Sequence, residues 1–215
     1  TDEWLAARCG RLTASELKLI VTPTFKLASN DKSRAHLLEL VAQRITGHVE
    51  PRFITDDMLR GMNDEAEARA LYERHHGEVE QVGFITREFS HGGVRFTLGY
   101  SPDGLIGEDG AIEIKSRRAK FQVETILNGE MPDDFAVQVQ AGLLISDREW
   151  CDFISYSGGM PLFVCRVERD PRCSAAILDA CAEAEARMQR MAEDFAGLAR
   201  GMIATERKVE QEMMI

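Results

Sequence analysis

The chain has 215 residues, with 26 Lys and Arg against 36 Asp and Glu, a formal net charge of −10, and 44% hydrophobic against 29% charged residues. This is the composition of one globular domain with a core of its own, and the acidic total weighs against a polyanionic partner, whose binding is driven by Lys and Arg releasing counterions. No stretch approaches the roughly 18 apolar residues of a membrane span, and Thr1-Asp2-Glu3-Trp4 does not resemble a signal peptide. Five cysteines (Cys9, Cys151, Cys165, Cys173, Cys181) without a C-x-x-C offer no disulfide framework and no familiar metal spacing, so a cytoplasmic protein with buried thiols is expected.

In chain order, the first 76 residues read as helical. Thr13-Ala14-Ser15-Glu16 has the form of a capping box opening a helix over Leu17 to Val21. Asp31 to Thr46 carries Leu37, Leu38, Val41 and Ile45 at helical spacing, with Gly47 as the stop. A third helix starts near Thr55-Asp56-Asp57 and ends at Gly77. The pattern then turns to β-branched and aromatic runs, Val82 to Thr86, Val94 to Leu98 and Ala111 to Lys115, joined through His91-Gly92-Gly93 and Glu108-Asp109-Gly110. Helices follow from Phe121 to Asn128 and from Asp134 to Leu144, then strands from Trp150 to Tyr156 and from Leu162 to Val167, and helix over 172–215. Without repeats or linkers the chain reads as a single domain, with a helical part over 1–77, sheet and helices over 78–168, and C-terminal helices. That order predicts an α/β fold, a central mixed sheet with antiparallel edges flanked by helices, and not a doubly wound nucleotide fold.

The segment richest in chemistry is Ser101-Pro102-Asp103-Gly104-Leu105, followed by Glu113-Ile114-Lys115. Side chains alternate along a strand, so Ile112 and Ile114 face one side while Glu113 and Lys115 share the other. An antiparallel return would place Asp103 beside Glu113. Two carboxylates about 4 Å apart repel by several kcal/mol at intermediate dielectric, which a divalent cation between them relieves. Oxygen ligands with room for water favour Mg²⁺, with Mn²⁺ substituting, over zinc. Two acids, a cation and a lysine on one face suit hydrolysis of a phosphodiester. Glu-x-Lys by itself is also the pattern of a salt-bridged exposed strand.

Pro-Asp-Gly followed by Glu-Ile-Lys resembles the PD-(D/E)xK nuclease pattern, and further segments resemble the phage lambda exonuclease branch, the YqaJ-type viral recombinases. Trp4 to Ser15 is similar to that family's W-x3-R-x-G-x2-TAS opening, Gly61 to Glu73 to its G-x3-E helix, and Phe135-Ala-Val-Gln138-Val-Gln140 to its QVQ helix. The order matches over Trp4 to Tyr156, and the C-terminal part adds no motif. The resemblance implies a restriction-endonuclease-like core in which Asp103, Glu113 and the Ile114 carbonyl hold the metal. Lys115 would position the attacking water, Glu65 would reach the site directly or through water, and Gln138 would touch it, while Gln140 is structural. Arg8 and Ser15 match the family's pocket for a 5′-phosphate. The chemistry suits them: Arg grips two phosphate oxygens, and Ser15 is expected in the first turn of a helix, where free N–H groups favour an anion. Some members carry a further acid ahead of Pro-Asp-Gly, where this chain has Ser90-His91-Gly92-Gly93, so a second ion would be held more loosely, or by Glu65 and the substrate phosphate.

The expectation from the resemblance is a Mg²⁺-dependent 5′→3′ exonuclease on ends of linear double-stranded DNA. It would hold two ions per site, form a homotrimer ring, and leave 3′ overhangs for a single-strand-annealing partner, with no membrane association. The alternatives are another nuclease of the superfamily, RecB-like or Cas4-like, and a catalytically silent DNA-end-binding scaffold; the Cas4-type cysteine cluster is missing. Arg117, Arg118 and Lys120 are candidates for backbone contacts, with a solvated basic helix start as the competing reading. The charge is unevenly spread, net +2 over residues 1–52 and net +3 over 111–120, so the acidic total does not exclude DNA.

Overall fold

The computed structural model describes residues 2–50 and 55–207. Helix α1 (Asp2–Arg8) leads into a two-residue strand β1 (Leu12–Thr13), a single 3₁₀ turn (Leu17–Leu19) and two long helices, α2 (Asp31–Thr46) and α3 (Asp56–His76). Both begin where the sequence places them. The Asn30 side chain accepts from the Ser33 amide and that of Thr55 from the Met58 amide, while Gly47 closes α2 in the left-handed conformation.

The strands are β2 (Ile85–His91), β3 (Val94–Tyr100), β4 (Gly104–Ile106), β5 (Gly110–Ser116), β6 (Trp150–Tyr156) and β7 (Phe163–Glu168). Helices α4 (Ala119–Asn128) and α5 (Ala136–Ser146) lie between β5 and β6, a 3₁₀ turn over Asp133–Phe135 precedes α5, and α6 (Pro171–Leu198) follows β7. Of the helix expected over 172–215, the part over 199–207 is not helical and 208–215 lie outside the described residues. The expected central sheet is divided into two mixed sheets, ordered β1-β3-β2 and β4-β5-β6-β7. Pairs β2–β3, β4–β5 and β6–β7 are antiparallel, whereas β1–β3 and β5–β6 are parallel. Strand β2 starts at Ile85, not at Val82. Among the described residues no helix is long and apolar enough to cross a membrane, and all five cysteines are free, Cys151 and Cys181 buried and the others half-buried.

Helix α5 has no solvated face. Val137, Ala141, Leu144 and Ile145 join a core with α2, α6 and β3, while Val139 and Leu143 join a second with Leu105, Ala111 and Phe153. A helix apolar nearly all round is buried nearly all round, and this one wedges between the two sheets. On the opposite side of β5, Ile112 and Ile114 pack with Ala68 and Tyr72 of α3.

A polar knot closes that opposite side. Asp152, buried on β6, accepts hydrogen bonds from Tyr72 Oη (2.6 Å) and from Arg166 Nε (2.8 Å) and a terminal nitrogen (3.0 Å). Tyr72 also stacks on His76, and the Arg166 guanidinium lies 3.5 Å from the centre of the Trp150 ring. Burial alone would raise the Asp152 carboxyl, but the bonds from Arg166 and Tyr72 outweigh it and hold it below the usual carboxylate range. Asp152→Asn is therefore expected to cost about 2 kcal/mol of unfolding free energy at neutral pH. The ionic contribution is complete above the unfolded carboxylate pKa of about 4 and is lost as pH falls through the lower folded value. Urea titrations of the two proteins should converge in strong acid.

Candidate active site

The β4–β5 hairpin builds the centre of the site. Gly104 pairs with Ile112, which sets Asp103 opposite Glu113, and Asp103 Oδ2 accepts from the Ile114 amide at 2.6 Å. The expected alternation holds, with Ile112 and Ile114 packed against α3 and Glu113 and Lys115 on the other face. Glu113 is only 1% exposed. Its Oε1 accepts from Lys115 Nζ (2.6 Å) and from Gln138 Nε2 of α5, and its Oε2 accepts from Tyr100 Oη at 3.2 Å. Because the Ile114 amide points toward Asp103, its carbonyl points the same way, to the side on which β4 has already ended.

Negative charge is in excess here. Burial first, then Glu113 and Glu65, push the Asp103 carboxyl well above the usual range. Burial works against the Lys115 ammonium, yet Glu113 and Asp103 outweigh it and raise its pKa, so it stays charged. Burial, then Glu113, likewise raises the Tyr100 phenol, which stays a donor. Among the described residues no group of three or more His, Cys, Asp or Glu side chains is gathered closely enough to hold a metal by itself. The donor set is a carboxylate pair with a main-chain carbonyl on the same side and water to complete it, which fits Mg²⁺ or Mn²⁺, ions that keep several waters, better than a closed zinc cage.

Glu65 of α3 is near enough to act on Asp103, but its carboxylate is bound by Arg69, whose Nε donates to the Asp103 carbonyl at 2.8 Å. Glu67, on the same helix, accepts instead from Tyr156 at 2.5 Å. Arg69 was not singled out from sequence, although Glu65 and Arg69 stand one helical turn apart, a spacing that favours an ion pair. Gln140, the other polar residue of the α5 motif, bonds the Glu168 carbonyl and the Asp170 amide, a structural role as expected.

Arg8 lies in a separate cluster. Its guanidinium stands 4.4 Å from the Trp4 ring centre and 5.7 Å from that of Phe84, and donates to Thr13 Oγ1 (3.1 Å) and Glu16 Oε2 (3.4 Å). Trp4 in turn donates to Ser101 Oγ at 3.1 Å, which ties the cluster to the turn carrying Asp103. The expected capping box does not form. Parallel pairing with β3 draws Leu12 and Thr13 into an extended strand, and the Thr13 hydroxyl donates to the Glu16 carboxylate at 2.8 Å. Ser15 therefore sits, half-buried, in a turn before one 3₁₀ turn and not in the first turn of a helix. Gly10 is at φ 66°, and a Cβ there would lie 2.5 Å from Arg44 Cγ. Its amide donates to Gln43 Oε1, and its carbonyl accepts from Arg44, whose two terminal nitrogens grip Glu185 of α6 at 2.7 and 2.8 Å.

Beyond β5, the half-buried Arg117 guanidinium lies over Phe121 and Phe135, and Lys120 Nζ stands 4.6 Å from the Phe121 ring centre. Lys115 Nζ lies 5.6 Å from the centre of Phe135. Arg118 is exposed at the start of α4. The basic residues thus continue outward from Lys115.

Residues 3–149 match the YqaJ-like viral recombinase domain. The alkaline exonuclease LHK-Exo from Laribacter hongkongensis is 34% identical, over 93% of this chain and 100% of that one, with a TM-score of 0.75. Its complex with dAMP matches with the same figures. A phage-related exonuclease from Haemophilus somnus shares the fold, with a TM-score of 0.60 at 12% identity over 86% of this chain and 96% of that one. A comparison with curated proteins finds no match. Two mixed sheets wedged apart by a buried helix, in a chain so similar to an exonuclease, define a nuclease of the exonuclease class. The chain belongs to the YqaJ-like viral recombinase family.

The excess charge around Asp103 has a measurable cost. Its folded pKa lies above the unfolded value, so ionisation destabilises the metal-free fold as pH rises, and the cost vanishes below the unfolded pKa. In EDTA, Asp103→Asn is expected to be more stable than wild type at pH 8 by about 1 kcal/mol, with the difference gone at pH 3. An Asn variant equal to or weaker than wild type at pH 8 would contradict the repulsion.

Proposed function

We propose that the chain is a Mg²⁺-dependent exonuclease that degrades linear double-stranded DNA 5′→3′, prefers 5′-phosphorylated ends and leaves 3′ single-stranded overhangs for an annealing partner. The observation that carries this reading is the buried Glu113 carboxylate, set opposite Asp103 and hydrogen-bonded to Lys115. Asp103, Glu113 and the Ile114 carbonyl would hold the ion, with Glu65 close by. Such a cation supplies positive charge against the phosphate and makes water easier to deprotonate. The chain's own residues do the rest. Lys115 keeps its ammonium charged beside the carboxylates, where it orients the attacking water and offsets charge developing on the phosphate. Gln138 holds Glu113 from α5.

Arg8 gives the preference for ends. Its guanidinium grips a terminal phosphate, which takes over from Glu16 as its anionic partner, and Ser15 lies in the turn beside it. A terminal phosphomonoester held there sets the adjoining linkage near Asp103, to which the cluster is tied through Trp4 and Ser101. Arg117, Arg118 and Lys120 take the DNA backbone outward from Lys115. A homotrimer ring encircling the duplex completes the proposal, with exposed Phe195, Leu198, Met202 and Ile203 as apolar surface for contact between subunits.

Linear duplex incubated with Mg²⁺ is expected to release nucleotides, and EDTA or a closed circular substrate to stop release. No release in Mg²⁺ would leave the silent scaffold as the better reading. Lys115→Ala should lower the rate at least 10²-fold while binding DNA as before. Arg8→Ala should instead erode the preference for phosphorylated over unphosphorylated ends, and an unchanged ratio would remove Arg8 from the pocket. Light scattering on the purified protein distinguishes a trimer from a monomer.

A further inference from the structure

Glu113 is held by donors of different kinds. Lys115 and Gln138 both donate to Oε1, whereas Oε2 has Tyr100 as its hydrogen-bond donor. Rotation about the bond to a carboxylate is soft, so a carboxylate anchored through one oxygen can still turn the other away. Tyr100 stops that turn. Its ring is 3% exposed and packed on α5 at Gly142, where a Cβ would lie 2.7 Å from Tyr100 Cζ. Gln138 and Gly142 are one helical turn apart on α5, so the same helix supplies a donor to Oε1 and the gap that admits the ring of the donor to Oε2. Tyr100 is also the last residue of β3, three positions before Asp103. One strand end thus presents both the hydroxyl on Glu113 and the second carboxylate.

We propose that Tyr100 is a positioning residue for the metal site, fixing the Glu113 carboxylate in the orientation in which it and Asp103 bind a divalent cation together. The inference rests on the reading of Glu113 as a metal ligand. Partners that orient a ligating group commonly change metal affinity by about 10-fold or more when removed. Tyr100→Phe takes away the hydroxyl and keeps the ring in its Gly142 niche, so it separates orientation from packing.

The experiment is calorimetric titration of the full chain with Mg²⁺ for wild type, Tyr100→Phe and Glu113→Gln, with exonuclease assays across Mg²⁺ concentrations and urea unfolding in EDTA. Tyr100→Phe is expected to bind Mg²⁺ about 10-fold more weakly, to recover most of its rate at saturating Mg²⁺, and to unfold at nearly the wild-type urea midpoint. Wild-type Mg²⁺ affinity in Tyr100→Phe, alongside loss of binding in Glu113→Gln, overturns the inference and leaves the metal reading intact. A rate lowered by the same factor at every Mg²⁺ concentration overturns it too. Wild-type binding in Glu113→Gln defeats the metal reading itself, and this inference with it.

Discussion

An ionised carboxylate taken almost wholly out of water is costly unless its oxygens are paired, and Glu113 sets that requirement for the whole fold. Each donor that meets it comes from a different place: Lys115 from the same strand, Tyr100 from the end of β3 in the other sheet, and Gln138 from the helix between the sheets. The two sheets and α5 are thereby fixed relative to one buried oxygen pair. Asp103 is added by a main-chain bond, its Oδ2 on the Ile114 amide, so strand pairing sets the distance between the acids.

Helix α3 performs a parallel task on the other side. Asp64 accepts from Ser116 at 2.5 Å, Glu67 accepts from Tyr156, and Arg69 reaches the Asp103 carbonyl, so successive turns of one helix are pinned to β5, β6 and the start of β4. Asp64, Glu65 and Glu67 are thus each held in a defined contact. The net charge of −10 thus coexists with a cationic run from Lys115 through Arg117 to Lys120, whose charges lie over Phe121 and Phe135. Cations resting on aromatic faces are attracted by the rings and held in place, which suits contact with a polyanion.

What could be read from the sequence was local. The placing of Asp103 beside Glu113, the division of Glu113 and Lys115 from Ile112 and Ile114, and the ends of α2 and α3 all follow from spacing and turn residues within a few positions, whereas the short strand β4 that pairs with β5 was not among the expected strands. What escaped was long-range. The capping box at Thr13 was sound as a local pattern, but pairing with Leu98 and Gly99 recruited Leu12 and Thr13 into a strand. The division into two sheets depends on α5, which periodicity alone cannot distinguish from any buried helix. Arg69 and Tyr100 carry no motif of their own and matter through partners 34 and 13 residues away.

The brace on Gly10 has a consequence for the order in which the molecule is completed. Asp103 and Glu113 are brought together by a hairpin whose closure needs only the residues between them, and such contacts form early. The loop after Arg8 is instead fixed by Arg44, and Arg44 by Glu185, 141 residues further along the chain. Asp103 and Glu113 precede α6 in the chain, whereas the brace on Gly10 needs a residue of α6. One guanidinium thus joins the loop after Arg8 to α6, and that loop is braced only once Glu185 is in place.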